Sequence, residues 1–342
     1  MLYLTTRSNQ EAYTAARALS EDRGPDGGFY VPLRLPRFEE AQIRQLGEKS
    51  FSRNVADIIN LFFGTKLDSW AVEFAIGRYP FKIRPLTGRE LVAEVWHNPT
   101  WKFERLARGI EKAVIHSDRI GNLPSDWLMV ASRVAVLFGL FGELIREGVE
   151  MPVDLAVPNG DFAGPAAAWY AREMGLPIST ILCCCNDNNG TWRLLHKGEI
   201  RTDGMPILSV TPGCDQVAPR DLERLIHGTL GPQEAARFAM ARQQKNTYYL
   251  EPEQQERLRK GMYAPVVGKR RLDSAVSNLY QNCRYLPDPY TALCYSGILD
   301  YRSVTGESRK VLIISEESPG FSLEYMCKCL GLSPWELKKR MQ

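Results

Sequence analysis

The stretch Val157-Pro158-Asn159-Gly160-Asp161-Phe162-Ala163-Gly164-Pro165 holds the residue types and spacing that most directly suggest chemistry. It joins an apolar run, Val153 to Val157, to a segment of helical composition beginning at Pro165. A strand–helix turn of this kind aims backbone N–H groups and a helix N-terminus at one point, which suits an anion such as phosphate. Gly160 and Gly164 let the backbone approach a ligand closely. Asp161 opposes that reading, because it sets a negative charge at the centre of the turn. The same pattern also serves as an ordinary turn. Asn159, Gly160, Asp161, Phe162, Ala163 and Gly164 are the candidate binding residues.

Other reactive residue types form no comparable pattern. His97, His116, His196 and His227 make no HExxH-like pair, and no CxxC occurs among the 8 cysteines. Cys183, Cys184 and Cys185 are adjacent, which is poor geometry for mutual disulfides; they read as the end of a buried strand. Cysteine usage therefore points to a reduced, cytoplasmic protein without a metal site. Lys and Arg number 43 against 40 Asp and Glu, a net charge of +3, and no five-residue basic run appears. That balance argues against a dedicated nucleic-acid binder. The N-terminal apolar patch is too short for a signal peptide. The longest apolar stretch, Trp127 to Leu140, carries Arg133 and falls short of the ~20 residues a bilayer requires, so no membrane association is expected.

The elements that must position the loop follow from periodicity. Ser8 or Asn9 is expected to cap a helix with Ala12, Tyr13, Ala16 and Leu19 on one face. Asp26-Gly27-Gly28 marks a turn and Phe29 to Pro32 a short strand. Helices are expected from Ser52, with Val55, Ile58, Ile59, Phe62 and Phe63 aligned, and from Asp68 to Gly77. Residues 1–80 thus read as a small, mostly helical unit. Residues 81–342 alternate between the two types. Val153–Val157, Ile178–Cys185 and Lys310–Ser315 are buried strands. Helices cover Pro99–Ala113, Trp127–Arg146, Pro165–Met174 and five further segments between Pro219 and Tyr301, and two short helices end the chain. Such alternation implies an α/β fold with a parallel sheet.

Several short segments, in order, resemble threonine synthase, a pyridoxal-phosphate (PLP) enzyme of fold type II. Tyr3-Leu4-Thr5-Thr6-Arg7 is similar to the family opening Y-x-S-T-R-G, and Asp26 to Pro32 to D-G-G-L-Y-V-P. Ala156 to Gly164 resembles V-P-T-G-N-F-G, the loop that holds the cofactor phosphate in that family. Tyr170 to Ile178 resembles Y-A-K-x-M-G-L-P-I, and Asp288-Pro289-Tyr290-Thr291-Ala292 resembles D-P-H-T-A. The resemblance implies the parallel-sheet core of PLP fold type II, the tryptophan synthase β-like kind, preceded by a small N-terminal unit.

The departures bear on function. The family's cofactor lysine lies in F-H-G-P-T-x-A-F-K-D, and Trp96 to Arg105 is the matching stretch. Glu104 falls at the lysine position in ungapped register. Lys102 is the one local competitor, two residues or ~200° away on a helix. A carboxylate cannot replace the amine that a Schiff base needs. Nothing like the family's S-G-D-T-G lies between Ile115 and Trp127, which implies that the small domain is largely missing. The family's S-T-A-H-P-A-K-F is represented by Ser315 to Phe321, placing Glu316 near the ring site. Three readings follow. The first is a non-catalytic homologue without cofactor, binding a protein partner or a small amino-acid-like ligand. The second is an active PLP-dependent lyase, converting O-phosphohomoserine to threonine and phosphate, with Lys102 in the pocket. The third is a new activity of paired carboxylates Glu104, Asp161 and Glu316.

Overall fold

A computed structural model of the chain describes residues 1–77, 81–95, 105–110 and 125–341. Its centre is a six-stranded sheet in the order β10-β7-β6-β11-β5-β4. The strands are β4 (Lys82–Pro85), β5 (Glu90–Glu94), β6 (Val153–Pro158), β7 (Ile178–Cys184), β10 (Met262–Tyr263) and β11 (Val311–Ser315), while β8 (Glu199–Ile200) and β9 (Tyr248–Tyr249) pair with each other outside it. Every neighbouring pair is parallel except β4 with β5, which is an antiparallel hairpin at one edge. β6, β7 and β11 are nearly continuous apolar runs because helices cover both faces. One apolar cluster lies under the helices Asp126–Arg146 and Ala163–Glu173, and a second lies under Lys269–Gln281 and Pro289–Thr305.

The N-terminal unit is mostly helical, as its sequence suggests, but it opens on a small sheet that the sequence does not suggest. β1 (Leu2–Thr5), β2 (Ser8–Thr14) and β3 (Tyr30–Pro32) form an antiparallel sheet in the order β2-β1-β3. The helix expected from Ser8 or Asn9 is confined to Ala15–Ser20, with Thr14 as its cap. Pairing with β1 captures Ser8–Thr14, and a six-residue helix is all that remains. The later helices match their signals. Ser50 accepts from the Arg53 N–H at 3.2 Å to start Phe51–Phe63, and Gly64 ends it at φ +68°. Asp68 accepts from the Ala71 N–H at 2.8 Å to start Ser69–Ile76.

The helix Asp126–Arg146 organises the larger cluster. It has 21 residues, long and apolar enough to cross a bilayer, which corrects the expectation from sequence that the segment is too short. Packing rather than length explains its composition, since 78% of its most apolar window is buried inside the protein. Its first aromatic, Trp127, meets Tyr3, Phe62 and Tyr170 edge-on at ring separations of 5.8, 5.5 and 5.5 Å. One side chain thereby joins the N-terminal sheet, the helix Phe51–Phe63 and the helix that follows the candidate loop.

Candidate functional site

The candidate loop lies at the C-terminal end of β6, where open parallel sheets place their ligands. Gly160 has φ +49° and Phe162 has φ +76°. The second value is costly for a side chain with a Cβ, and the fully buried Phe162 ring anchors it. The Phe162 N–H donates to the Asn159 carbonyl at 2.9 Å, closing the turn, and the helix Ala163–Glu173 begins directly after it.

Asp161 is bound into this turn rather than standing as a bare charge. One carboxylate oxygen accepts from the Ala163 N–H at 3.0 Å, and the other lies 3.4 Å from the Arg220 guanidinium. Arg220 also pairs with Asp126 at 2.8 Å. The first backbone donor of the helix is therefore engaged from within the loop. Gly160 presents its N–H to the Cys214 thiol, which burial pushes up to about 12 while that amide opposes the rise. Cys214 comes from the turn Pro212–Cys214, pinned by the Gly213 N–H donating to Tyr290 Oη at 2.9 Å.

Asn159 is the unusual member. Its backbone N–H donates to the Cys184 carbonyl at 2.8 Å. Its side chain is 1% exposed, and neither amide atom has a hydrogen-bond partner. Asn159 lines a cleft of about 380 Å³ together with Arg133, Asp161, Cys214, Tyr290 and Glu316. The Arg133 guanidinium and the Glu316 carboxylate face each other at 3.5 Å. Crowding of Glu316 by neighbouring atoms pushes its carboxyl above the usual range; Arg133 opposes this and Asp161 adds to it.

β11 delivers Glu316 through a buried polar joint. Asp288 caps the helix Pro289–Thr305, accepting from the Tyr290 and Thr291 N–H groups at 2.8 and 3.2 Å. It also accepts from Ser315 Oγ at 3.0 Å and from Thr291 Oγ1. Burial still pushes the Asp288 carboxyl above its ordinary value.

The structure thus brings Asn159, Gly160, Asp161, Gly164 and Glu316 to one cleft, while Phe162 and Ala163 are buried beside it and do not line it. Glu104 and Lys102 lie outside the described residues, as do most of the residues between Ile115 and Trp127. Sequence reasoning missed Arg133 and Cys214 as members of the cleft. It also missed the network that carries Cys214. Asn186 Nδ2 donates to Ser209, Thr211 and Asp215 at 2.9, 3.1 and 2.7 Å, and Asn188 adds the Ile207 carbonyl at 2.8 Å. The run Asn186-Asp187-Asn188-Asn189 directly after β7 was the available signal, since clustered Asn and Asp bind local backbone. Among the described residues no group of three His, Cys, Asp or Glu is placed to hold a metal ion.

With the site in view, comparison with solved structures decides the architecture. The chain superimposes on the PLP-bound threonine synthase of Brucella melitensis with a TM-score of 0.83 at 18% identity, covering 100% of this chain and 94% of that one. The yeast threonine synthase gives 0.82 at 16% identity, with 99% and 93% covered. The fold is that of threonine synthase. Residues 2–78 match the family model for the threonine synthase N terminus. Threonine synthase-like 1 of Pongo abelii is 24% identical over 174 residues, 49% of this chain and 23% of that protein. The Pseudomonas aeruginosa threonine synthase is 26% identical over 171 residues, 49% of this chain and 36% of that one. These matches span roughly a quarter to a third of the curated relatives. The chain is similar in sequence to threonine synthases over about half its length and shares their fold.

Proposed function

We propose that this threonine synthase-like chain has lost PLP-dependent catalysis and acts as a non-catalytic binding or regulatory homologue. The observation that carries the reading is Glu104 at the position of the cofactor lysine in the aligned motif. The site supports it independently. Asp161 takes the Ala163 N–H, and Cys214 faces the Gly160 N–H, so loop donors that could meet a phosphate are engaged internally. Asp161, Glu316 and Glu317 line the same cleft and repel a phosphorylated cofactor or substrate. These residues do not fit PLP. The small domain that would grip substrate is proposed to be largely missing, because no S-G-D-T-G-like segment lies between Ile115 and Trp127. A cytoplasmic protein without nucleic-acid or membrane partners remains part of this reading.

The second reading, an active PLP-dependent lyase using Lys102, draws on the retained strand–glycine–helix geometry at Val153–Glu173. A spectrophotometric titration with PLP separates the two. The non-catalytic reading expects only the spectrum of the free aldehyde. A saturable new visible band at one cofactor per chain would favour the lyase.

A further inference from the structure

Five arginines gather at the seam between the N-terminal unit and the core. Arg7 and Arg23 belong to the N-terminal unit. Arg220 and Arg224 flank the start of the helix Leu222–Leu230, and Arg242 lies in the last turn of the helix Pro232–Gln244, which packs on β2. Three of the five have carboxylates. Arg7 has Glu223 at 2.9 Å, Arg220 has Asp126 at 2.8 Å, and the fully buried Arg224 has Asp221. Arg23 and Arg242 have no ion pair among the described residues. The Arg23 guanidinium lies over the Phe29 ring at 4.0 Å and donates to the Gly27 carbonyl at 3.0 Å, while Arg224 lies 4.2 Å from the same ring. Asp26, in the same turn as Arg23, is taken by Thr5 Oγ1 at 2.6 Å and by the Gly28 N–H at 2.9 Å.

Arg242 is half-buried, and its side chain makes no hydrogen bond or ion pair among the described residues. Burial pulls its guanidinium below the ordinary value; Glu223 opposes the fall, and Arg23, Arg220 and Arg7 deepen it. Glu223 does not relieve it by contact, because Arg7 and Thr6 already hold that carboxylate. A desolvated cation crowded by like charges is costly, and a bound anion removes the cost. Arginine forks match phosphate oxygens two at a time. Two unpaired guanidiniums balance the nearly double negative charge of a phosphate monoester at neutral pH. We propose that Arg23 and Arg242 form a binding site for a phosphate group, free or carried by a small molecule, which clamps the N-terminal unit to the core. The inference goes beyond the reading of the cleft, since neither residue lines it.

The test is thermal unfolding and calorimetric titration of the full chain with inorganic phosphate and with glycerol phosphate, against sodium chloride at matched ionic strength. Saturable binding of one phosphate group per chain is expected, with an unfolding midpoint that climbs as the probe is added. Either probe supports the site, and the tighter one names the source. Arg23→Gln and Arg242→Gln should each weaken binding about tenfold or more, as loss of a hydrogen bond to a charged group does. Without phosphate, Arg242→Gln should unfold at or above the parent midpoint, because it relieves like-charge crowding. Lys66→Gln, at an exposed cation elsewhere on the N-terminal unit, should bind as the parent does. No response beyond that to chloride, or affinity unchanged in both arginine variants, overturns the inference. So does a lower midpoint of Arg242→Gln without phosphate, which would make the arginine a structural member of the seam.

Discussion

At the scale of single residues, the site is defined by how its carboxylates are satisfied. Asp161 donates nothing to solvent chemistry while it accepts from the Ala163 N–H and faces Arg220. Asp161→Ala should cost about 1 kcal/mol in chemical denaturation, the usual net worth of one side-chain-to-backbone hydrogen bond. The ion pair adds little to that figure, because Arg220 keeps Asp126 at 2.8 Å. Glu316 differs, since desolvation by the atoms packed around it raises its carboxyl, with Arg133 opposing the rise and Asp161 adding to it. A raised folded-state value means that folding disfavours the charged form, so stability is greater when the group is protonated. Stability is then lost as pH rises from the ordinary carboxylate value through the folded one. Glu316→Gln should therefore match or exceed the parent in denaturation midpoint at neutral pH, and the gap should close in acid. A variant less stable at neutral pH than at acid pH, relative to the parent, would contradict that sign. Asp161 as an obstacle to phosphate was legible in the sequence, because charge is a property of the residue type. Its partner Arg220 was not, because 59 residues separate the two.

At the scale of elements, close approach and capping carry the site. Gly142 on the helix Asp126–Arg146 sits where a Cβ would lie 2.8 Å from the Leu46 carbonyl oxygen and 2.4 Å from Asn54 Nδ2. The first of these is backbone and cannot swing aside. Gly142→Ala should therefore destabilise by about 1–3 kcal/mol through overpacking, outweighing the ~1 kcal/mol that alanine gains as a helix former; urea midpoints measure it. β6, β7 and β11 were legible as apolar runs, and the helix start at Asp68 was legible as well. The hairpin β4–β5 was not, because Lys82 to Pro85 is a polar edge strand and Glu90 to Glu94 has acids at both ends. Those acids are satisfied only in three dimensions, Glu94 by Arg84 at 3.0 Å and Glu90 by Arg302. Ser8–Thr14 misled for the opposite reason: Ala12, Tyr13, Ala16 and Leu19 have helical spacing, and a partner strand overrides it.

At the scale of the whole molecule, the N-terminal unit and the core are fastened by buried polar contacts as well as by Trp127. Arg7 forks onto Glu223, with Nε and Nη2 at 2.9 and 3.1 Å, and Thr6 donates to the same carboxylate. The Glu223 side chain is fully buried. Glu223→Gln should cost about 3 kcal/mol, since one partner of a buried pair is then lost. Far-UV circular dichroism and tryptophan fluorescence should unfold together in parent and variant, because one apolar cluster runs from Tyr3 to Ile314. Separate transitions would mean that residues 1–80 fold apart from the rest. The overall architecture was legible through a series of short family-like segments in order, whereas only one end of the Asn186–Asp215 network, the run Asn186 to Asn189, left a signal, because its partner Asp215 lies 29 residues away. The central claim is that Glu104 has displaced the cofactor amine, and borohydride reduction of the PLP-treated protein followed by peptide mapping tests it most directly. The expected result is scattered, substoichiometric labelling of surface lysines. Stoichiometric labelling of Lys102, abolished in Lys102→Ala, would contradict the claim and restore the chain to the PLP-dependent enzymes.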